Sequence, residues 1–157
     1  MPLLQRMSEY TLWADAKVWE IVKGLTDDEF GRTLTENSGS IRNRYLHMAI
    51  GHSQWYNRWV GFNNEEIRPE TLTRDAMFEY INRFNRLIAN LIDDEAHNER
   101  STSKSQSFGT LELEEMIFNI LNHATYHRGQ IVLLLRFLGK EVKPTDYIPY
   151  LLDRQSV

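Results

Sequence analysis

The stretch Met116 to Leu138, MIFNILNHATYHRGQIVLLLRFL, constrains the fold more than any other part of this 157-residue chain. At the helical period Met116, Ile120, His123, His127, Ile131, Leu134 and Leu138 follow at steps of three or four and share one face. Two imidazoles thus stand where a bundle core would take Leu. Side chains at i and i+4 lie roughly 5–6 Å apart at Cβ, so both rings can reach one metal ion. Burying two imidazoles without partners is unfavourable. The pair therefore points to a shared ligand rather than to two separate core histidines, and a third ligand has to come from elsewhere in the chain.

The chain has no cysteine, which excludes disulfides, thiolate metal sites, iron–sulfur clusters and cysteine nucleophiles. A metal must then be held by His and carboxylate, and thiol chemistry needs a thiol brought by a substrate or cofactor. Apolar content of 41% and charged content of 25% are those of an ordinary soluble domain, and the length fits a single domain over 1–157. A net charge of −4 offers nothing to phosphate backbones or anionic membranes, so neither nucleic acid nor membrane is expected as a partner. The N-terminus lacks a signal-peptide pattern, and the longest apolar run, Ile131 to Leu135, is too short to span a bilayer. The expected location is cytoplasmic.

Periodicity predicts four long amphipathic helices. The first spans about Leu3 to Lys23, with Leu4, Met7, Thr11, Ala14, Val18 and Ile21 inward and Gly24 as its stop. Thr26-Asp27-Asp28-Glu29 has the form of a capping box and starts a short turn through Phe30, followed by a polar loop to Ser40. The second helix runs from after Ser40 to near Gly61, and its apolar face is Ile41, Tyr45, Met48, His52, Trp55 and Trp59. On this wheel His52 is at the centre of the stripe, with His47 beside it near Gly51 and Gln54. Periodicity leaves open which of the two faces the bundle axis. After a connector holding Asn63, Asn64 and Pro69, the third helix spans about Thr73 to Asp94, with Met77, Ile81, Phe84, Ile88 and Leu91 inward. His97 to Gly109 reads as a polar loop with at most a short extended piece and His97 solvent-exposed. Thr110 is placed to cap the fourth helix, which ends at Gly139. The tail, with Pro144 and Pro149, reads as irregular, with Tyr147, Ile148, Tyr150, Leu151 and Leu152 packing back. With no convincing strand pair, the expected fold is all-α, a four-helix bundle.

The pair differs from the zinc-protease motif H-E-x-x-H because position 124 is Ala, so that motif's general base is missing. Arg128 is expected to pair with a carboxylate across the bundle rather than to approach an anionic substrate. Tyr45, Trp55, Trp59 and Tyr126 read as core or as walls of a pocket. His52 reads equally as a core residue or as a hydrogen-bond partner of a ligand or bound water.

The pattern NHATYHRGQIVLLLRFLG, with SIRNRYLHMAIGHSQWYNRW some seventy residues earlier, resembles the DinB/YfiT-like family of small metal-binding four-helix bundles. The likeness runs from SEYTLWADAKVWEIV to the Pro144-Thr-Asp-Tyr segment. It implies three histidine ligands, His47, His123 and His127, and so selects His47 over the His52 favoured by the wheel. Asp15 stands where members often have Asn. The resemblance further implies one divalent ion, a small-molecule substrate and a homodimer; three neutral imidazoles suit zinc, nickel or iron, and zinc or nickel is the expected ion. The resemblance also implies hydrolysis, or transfer or isomerisation using a low-molecular-weight thiol. The competing readings are a non-catalytic, stress-related metal-binding module and, more weakly, a degenerate bundle with purely structural histidines.

Overall fold

The computed structural model describes residues 2–36, 39–60, 71–95, 102–105 and 109–156. The elements in order are α1 (Pro2–Val22), α2 (Asp27–Gly31), α3 (Ile41–Val60), α4 (Arg74–Glu95), β1 (Thr102–Ser105), β2 (Gly109–Glu112), α5 (Leu113–Phe137) and α6 (Tyr147–Gln155). His97, Asn63, Asn64 and Pro69 lie outside the described residues.

Local chemistry sets the helix ends. Thr26 and Glu29 form the expected capping box at α2. The Ser40 hydroxyl accepts from the Asn43 N–H at 3.1 Å to start α3, and Thr73 does the same for Ala76 at the start of α4, at 3.2 Å. At the end of α5, Gly139 takes φ of 72°, the Gly139 N–H donates to the Arg136 carbonyl and the Lys140 N–H to that of Leu135. That Schellman closure needs a left-handed residue, hence the glycine.

Three expectations change. Thr110 is not the cap of α5: it lies in β2 and pairs with Lys104 in an antiparallel ladder, and Glu112 is the cap residue. The Glu112 N–H is taken up by the Glu115 carboxylate at 3.0 Å. The tail is not irregular throughout, because residues 147–155 form α6. Pro149 falls in its first turn, where backbone N–H groups have no helical partner to lose. Within α6, Tyr150 is buried against α1, whereas Ile148 and Leu152 face outward at 63% and 59% exposure.

The four long helices form a bundle in which α1 and α3 each pack on both α4 and α5. The helices α1 and α3 therefore face each other diagonally, as do α4 and α5. Among the described residues two large apolar clusters fill the interior, and a third, smaller one of Tyr10, Ala14 and Tyr150 joins α1 to α6. One large cluster gathers Val18, Ile41, Tyr45, Met48, Met77, Ile81, Ile131 and Leu134 with their neighbours. The other gathers Leu4, Ile88, Ile92, Met116, Ile117 and Ile120. Along each helix the side chains between the clusters are polar and buried: Ser8, Thr11 and Asp15 on α1, His52 and Ser53 on α3, Asn85 on α4, and His127 and Arg128 on α5. Among the described residues no helix is long and apolar enough to cross a membrane.

Candidate metal centre

The α3 and α5 helices bring His47, His123 and His127 together at the edge of this polar belt. The Nε2 atoms of His47 and His123 are 3.3 Å apart, and those of His127 and His123 3.1 Å apart. His47 is exposed, His123 is half-buried and His127 is buried, so the cluster opens to solvent on the α3 side. Among the described residues it is the one group of His and carboxylate side chains able to hold a metal ion.

Tautomers follow from the partners. The Gln130 side-chain oxygen lies 2.7 Å from His127 Nδ1 and also accepts from Arg44 Nη1 at 3.1 Å. With two donors converging on it that atom is the amide oxygen, so His127 carries its proton on Nδ1 and turns a lone pair outward from Nε2. Burial, then the neighbouring charges of His127 and His47, holds the His123 imidazole down to about 4. Burial also lowers His127, against the opposing hydrogen bond to Gln130. Both rings are therefore neutral near pH 7, the state in which imidazole ligates.

The spacing fits an ion. A tetrahedral centre with metal–nitrogen bonds of about 2.05 Å holds its ligand nitrogens about 3.3 Å apart. Hydrogen bonding alone accounts for the cluster poorly: His123 Nε2 faces two other Nε2 atoms and has at most one proton to give. The Gly51 backbone is part of the fit, since a Cβ built there would stand 3.1 Å from His123 Cε1. The His123 ring lies against α3 where that helix has no side chain.

His52 does not join the three. The wheel placed it correctly in the interior, where it is fully buried, but its ring centroid lies 6.3 Å from that of His123. Ala124 is fully buried in the core, so the position that carries the base in H-E-x-x-H faces away from the site. Arg128 pairs across the bundle as expected, and its partner is Asp15: Nη1 meets Oδ1 at 2.9 Å with both side chains buried. Burial pushes the Asp15 carboxyl above its ordinary value, opposed by the Arg128 charge and by hydrogen bonds from Arg128 and Asn85. Burial works against the Arg128 charge too, but Asp15 and Tyr10 more than offset it. Arg128 Nη2 also donates to Tyr10, whose hydroxyl donates to the Thr145 carbonyl and ties the tail to the belt. Of the aromatics, Tyr45 is core, Trp55 and Trp59 are partly buried against the second cluster, and exposed Tyr126 sets its ring edge-on to His127 at 5.0 Å. Gln130 and Arg44 went unnoticed in the sequence, although a Gln one turn after a ligand histidine is well placed to orient it.

A small four-helix bundle with three imidazoles converging from two helices is the class that this fold and site define. The chain belongs to the DinB family, whose family model matches residues 1–154. It is 25% identical over 158 residues to Protein DinB of Bacillus subtilis (strain 168), a match covering 93% of this chain and 92% of that protein. Its fold is similar to that of YfiT from Bacillus subtilis, described as a probable metal-dependent hydrolase with an unusual four-helix bundle topology. The TM-score is 0.64 over 88% of this chain and 89% of that one, at 13% identity.

Proposed function

We propose that this protein is a metal-dependent enzyme in which His47, His123 and His127 hold one divalent ion, zinc or nickel, and a small-molecule substrate enters from the solvent side of α3. The observation that carries the reading is the convergence of the three Nε2 atoms at 3.1 and 3.3 Å, with the His127 proton drawn to the far side of its ring by Gln130. When bound, such an ion supplies Lewis acidity and lowers the pKa of a coordinated water or thiol. Gln130 fixes the His127 ring, Arg44 holds Gln130, and Tyr126 forms part of the rim that a substrate meets. YfiT's description supports hydrolysis as the reaction. Transfer using a low-molecular-weight thiol is the other chemistry open to the site, with the thiol coming from a cofactor because the chain has no Cys. A non-catalytic metal-binding module is favoured by one specific feature, the burial of Ala124 where a helix-borne base would stand.

Elemental analysis of untagged protein should find one divalent ion per chain, and His47→Ala or His123→Ala should each lower bound metal sharply. A wild-type protein that takes up neither zinc nor nickel sinks the reading. Retained binding in His47→Ala with loss in His52→Ala would move the site to the wheel's histidine. With metal bound, turnover of generic esters or amides, or of electrophiles with small thiols, separates the enzyme from the binding module.

A further inference from the structure

Seven buried side-chain atoms among the described residues make no hydrogen bond of regular geometry, and four of them lie on His52 and its two neighbours, His123 and Asn85: His123 Nδ1, His52 Nδ1, His52 Nε2 and Asn85 Oδ1. A single buried polar atom without a partner costs about 1–3 kcal/mol, so four together on facing residues mark one shared site. Asn85 meets His52 from α4 in a loose side-chain hydrogen-bonding contact, and its own Nδ2 donates to Asp15 Oδ2 at 3.0 Å. His52 and His123 stand 6.3 Å apart between ring centroids. Their nitrogens form no direct bond, and two bonds of about 2.8 Å through one water span the separation of such rings.

We propose that His52 is the positioning residue for His123, joined to His123 Nδ1 through one buried water and held in turn by Asn85 and Asp15. The inference rests on the metal reading, in which His123 ligates through Nε2 and so carries its proton on Nδ1. Donors and acceptors then run in one direction. His123 Nδ1–H donates to the water, the water to the bare nitrogen of His52, the other His52 nitrogen to Asn85 Oδ1, and Asn85 Nδ2 to Asp15. The sense of the chain is set at its far end, where the Asp15 carboxylate accepts from both Asn85 and Arg128. That polarity turns the Asn85 oxygen toward His52, selects the His52 tautomer, and leaves His123 Nε2 bare for the ion. Burial, then the charges of His123 and His127, keeps His52 neutral down to about 3, so it can give and accept at the same time. A ligand histidine commonly has its second nitrogen anchored by a carboxylate or carbonyl. Here the carboxylate acts at a distance, through an amide, an imidazole and a water.

The test compares wild type with His52→Phe, which keeps the ring volume and removes both nitrogens, and with His52→Gln, which restores a polar end. Zinc affinity measured by chelator competition should fall about ten- to a hundredfold in the Phe variant and recover in part in the Gln variant, at unchanged saturating stoichiometry. Melting of the metal-free Phe variant should be lower than that of wild type, because the buried water and Asn85 Oδ1 each lose the partner that His52 provides. In metal-free wild type, ¹⁵N spectra should show His123 as the Nδ1–H tautomer, changing to a mixture in the Phe variant. Affinity within twofold of wild type together with an unchanged His123 tautomer overturns the proposal. If the Phe variant does not fold, Asn85→Leu breaks the chain one link further out and should move the same two readouts in the same direction. A wild type that binds no metal defeats the metal reading, and the tautomer measurement still decides whether His52 orients His123.

Discussion

Helix α3 carries two histidines, His47 and His52, in opposite circumstances. His47 is exposed at the mouth of the three-histidine cluster, and His52 is sealed among the polar side chains between the two large apolar clusters. Deep burial and membership of the three-histidine cluster thus fall on different residues of the same helix. A ligand needs an open side for water or substrate, which the centre of a core stripe does not give, while a buried imidazole is held more rigidly. The mouth and the belt are two levels of one polar layer, the outer presenting lone pairs and the inner orienting them.

The largest expected effect tests the belt. Asp15→Ala leaves Arg128 buried without its carboxylate and should destabilise the protein by about 3–5 kcal/mol, read from urea denaturation of metal-free protein. A loss below about 1 kcal/mol would mean that Arg128 reaches solvent and the belt is not sealed. Asp15→Asn, which keeps the shape and one acceptor, should fall between.

Acid tests the belt by its protonation. The folded state holds His52 at about 3 and His123 at about 4, whereas both titrate near 6.5 in an unfolded chain. Between those values the unfolded state binds more protons, so the stability of metal-free protein should fall as pH drops from about 6.5 toward 4. A fully buried imidazole contributes up to about 1.4 kcal/mol per pH unit. His52→Phe should flatten the slope measurably. An identical slope in wild type and variant would show that His52 takes a proton in the fold.

The smallest effect separates mouth from belt. Gly51→Ala places a methyl group 3.1 Å from His123 Cε1 and should shift that ring by a few tenths of an ångström. Metal affinity should drop about tenfold. Metal-free stability should hold or rise, since Ala is the better helix former by about 1 kcal/mol. Unchanged affinity would show that the His123 ring has slack.

Much of this was readable from the chain because helix periods and caps are local. The Thr26–Glu29 box, the Gly139 stop and the stripes of all four long helices are set by neighbours in sequence. The paired strands were missed because Thr102–Ser105 is polar throughout and shows no apolar alternation. The α6 helix was missed because a proline two residues past the first helical position reads as a breaker, although the first turn tolerates it. The wheel placed His52 inside correctly, yet periodicity alone could not select His47, because a cluster at the edge of a stripe is defined only when two helices meet. The Asp15–Arg128 pair joins positions 113 residues apart, and Asp15 gave no sign of its partner. Ser8 and Asn85 were passed over because single polar residues inside amphipathic helices look like interruptions until all four are aligned.

The diagonal placement of successive helices has a kinetic side. His47 and His123 are 76 residues apart, and the rest of α3, all of α4 and the paired strands must be made before α5 can dock against α3. An N-terminal portion ending before α5 holds one member of the cluster and has nothing with which to chelate. Assembly of the three-histidine cluster is therefore a late event in the life of the chain, coming only once α5 has docked on α3.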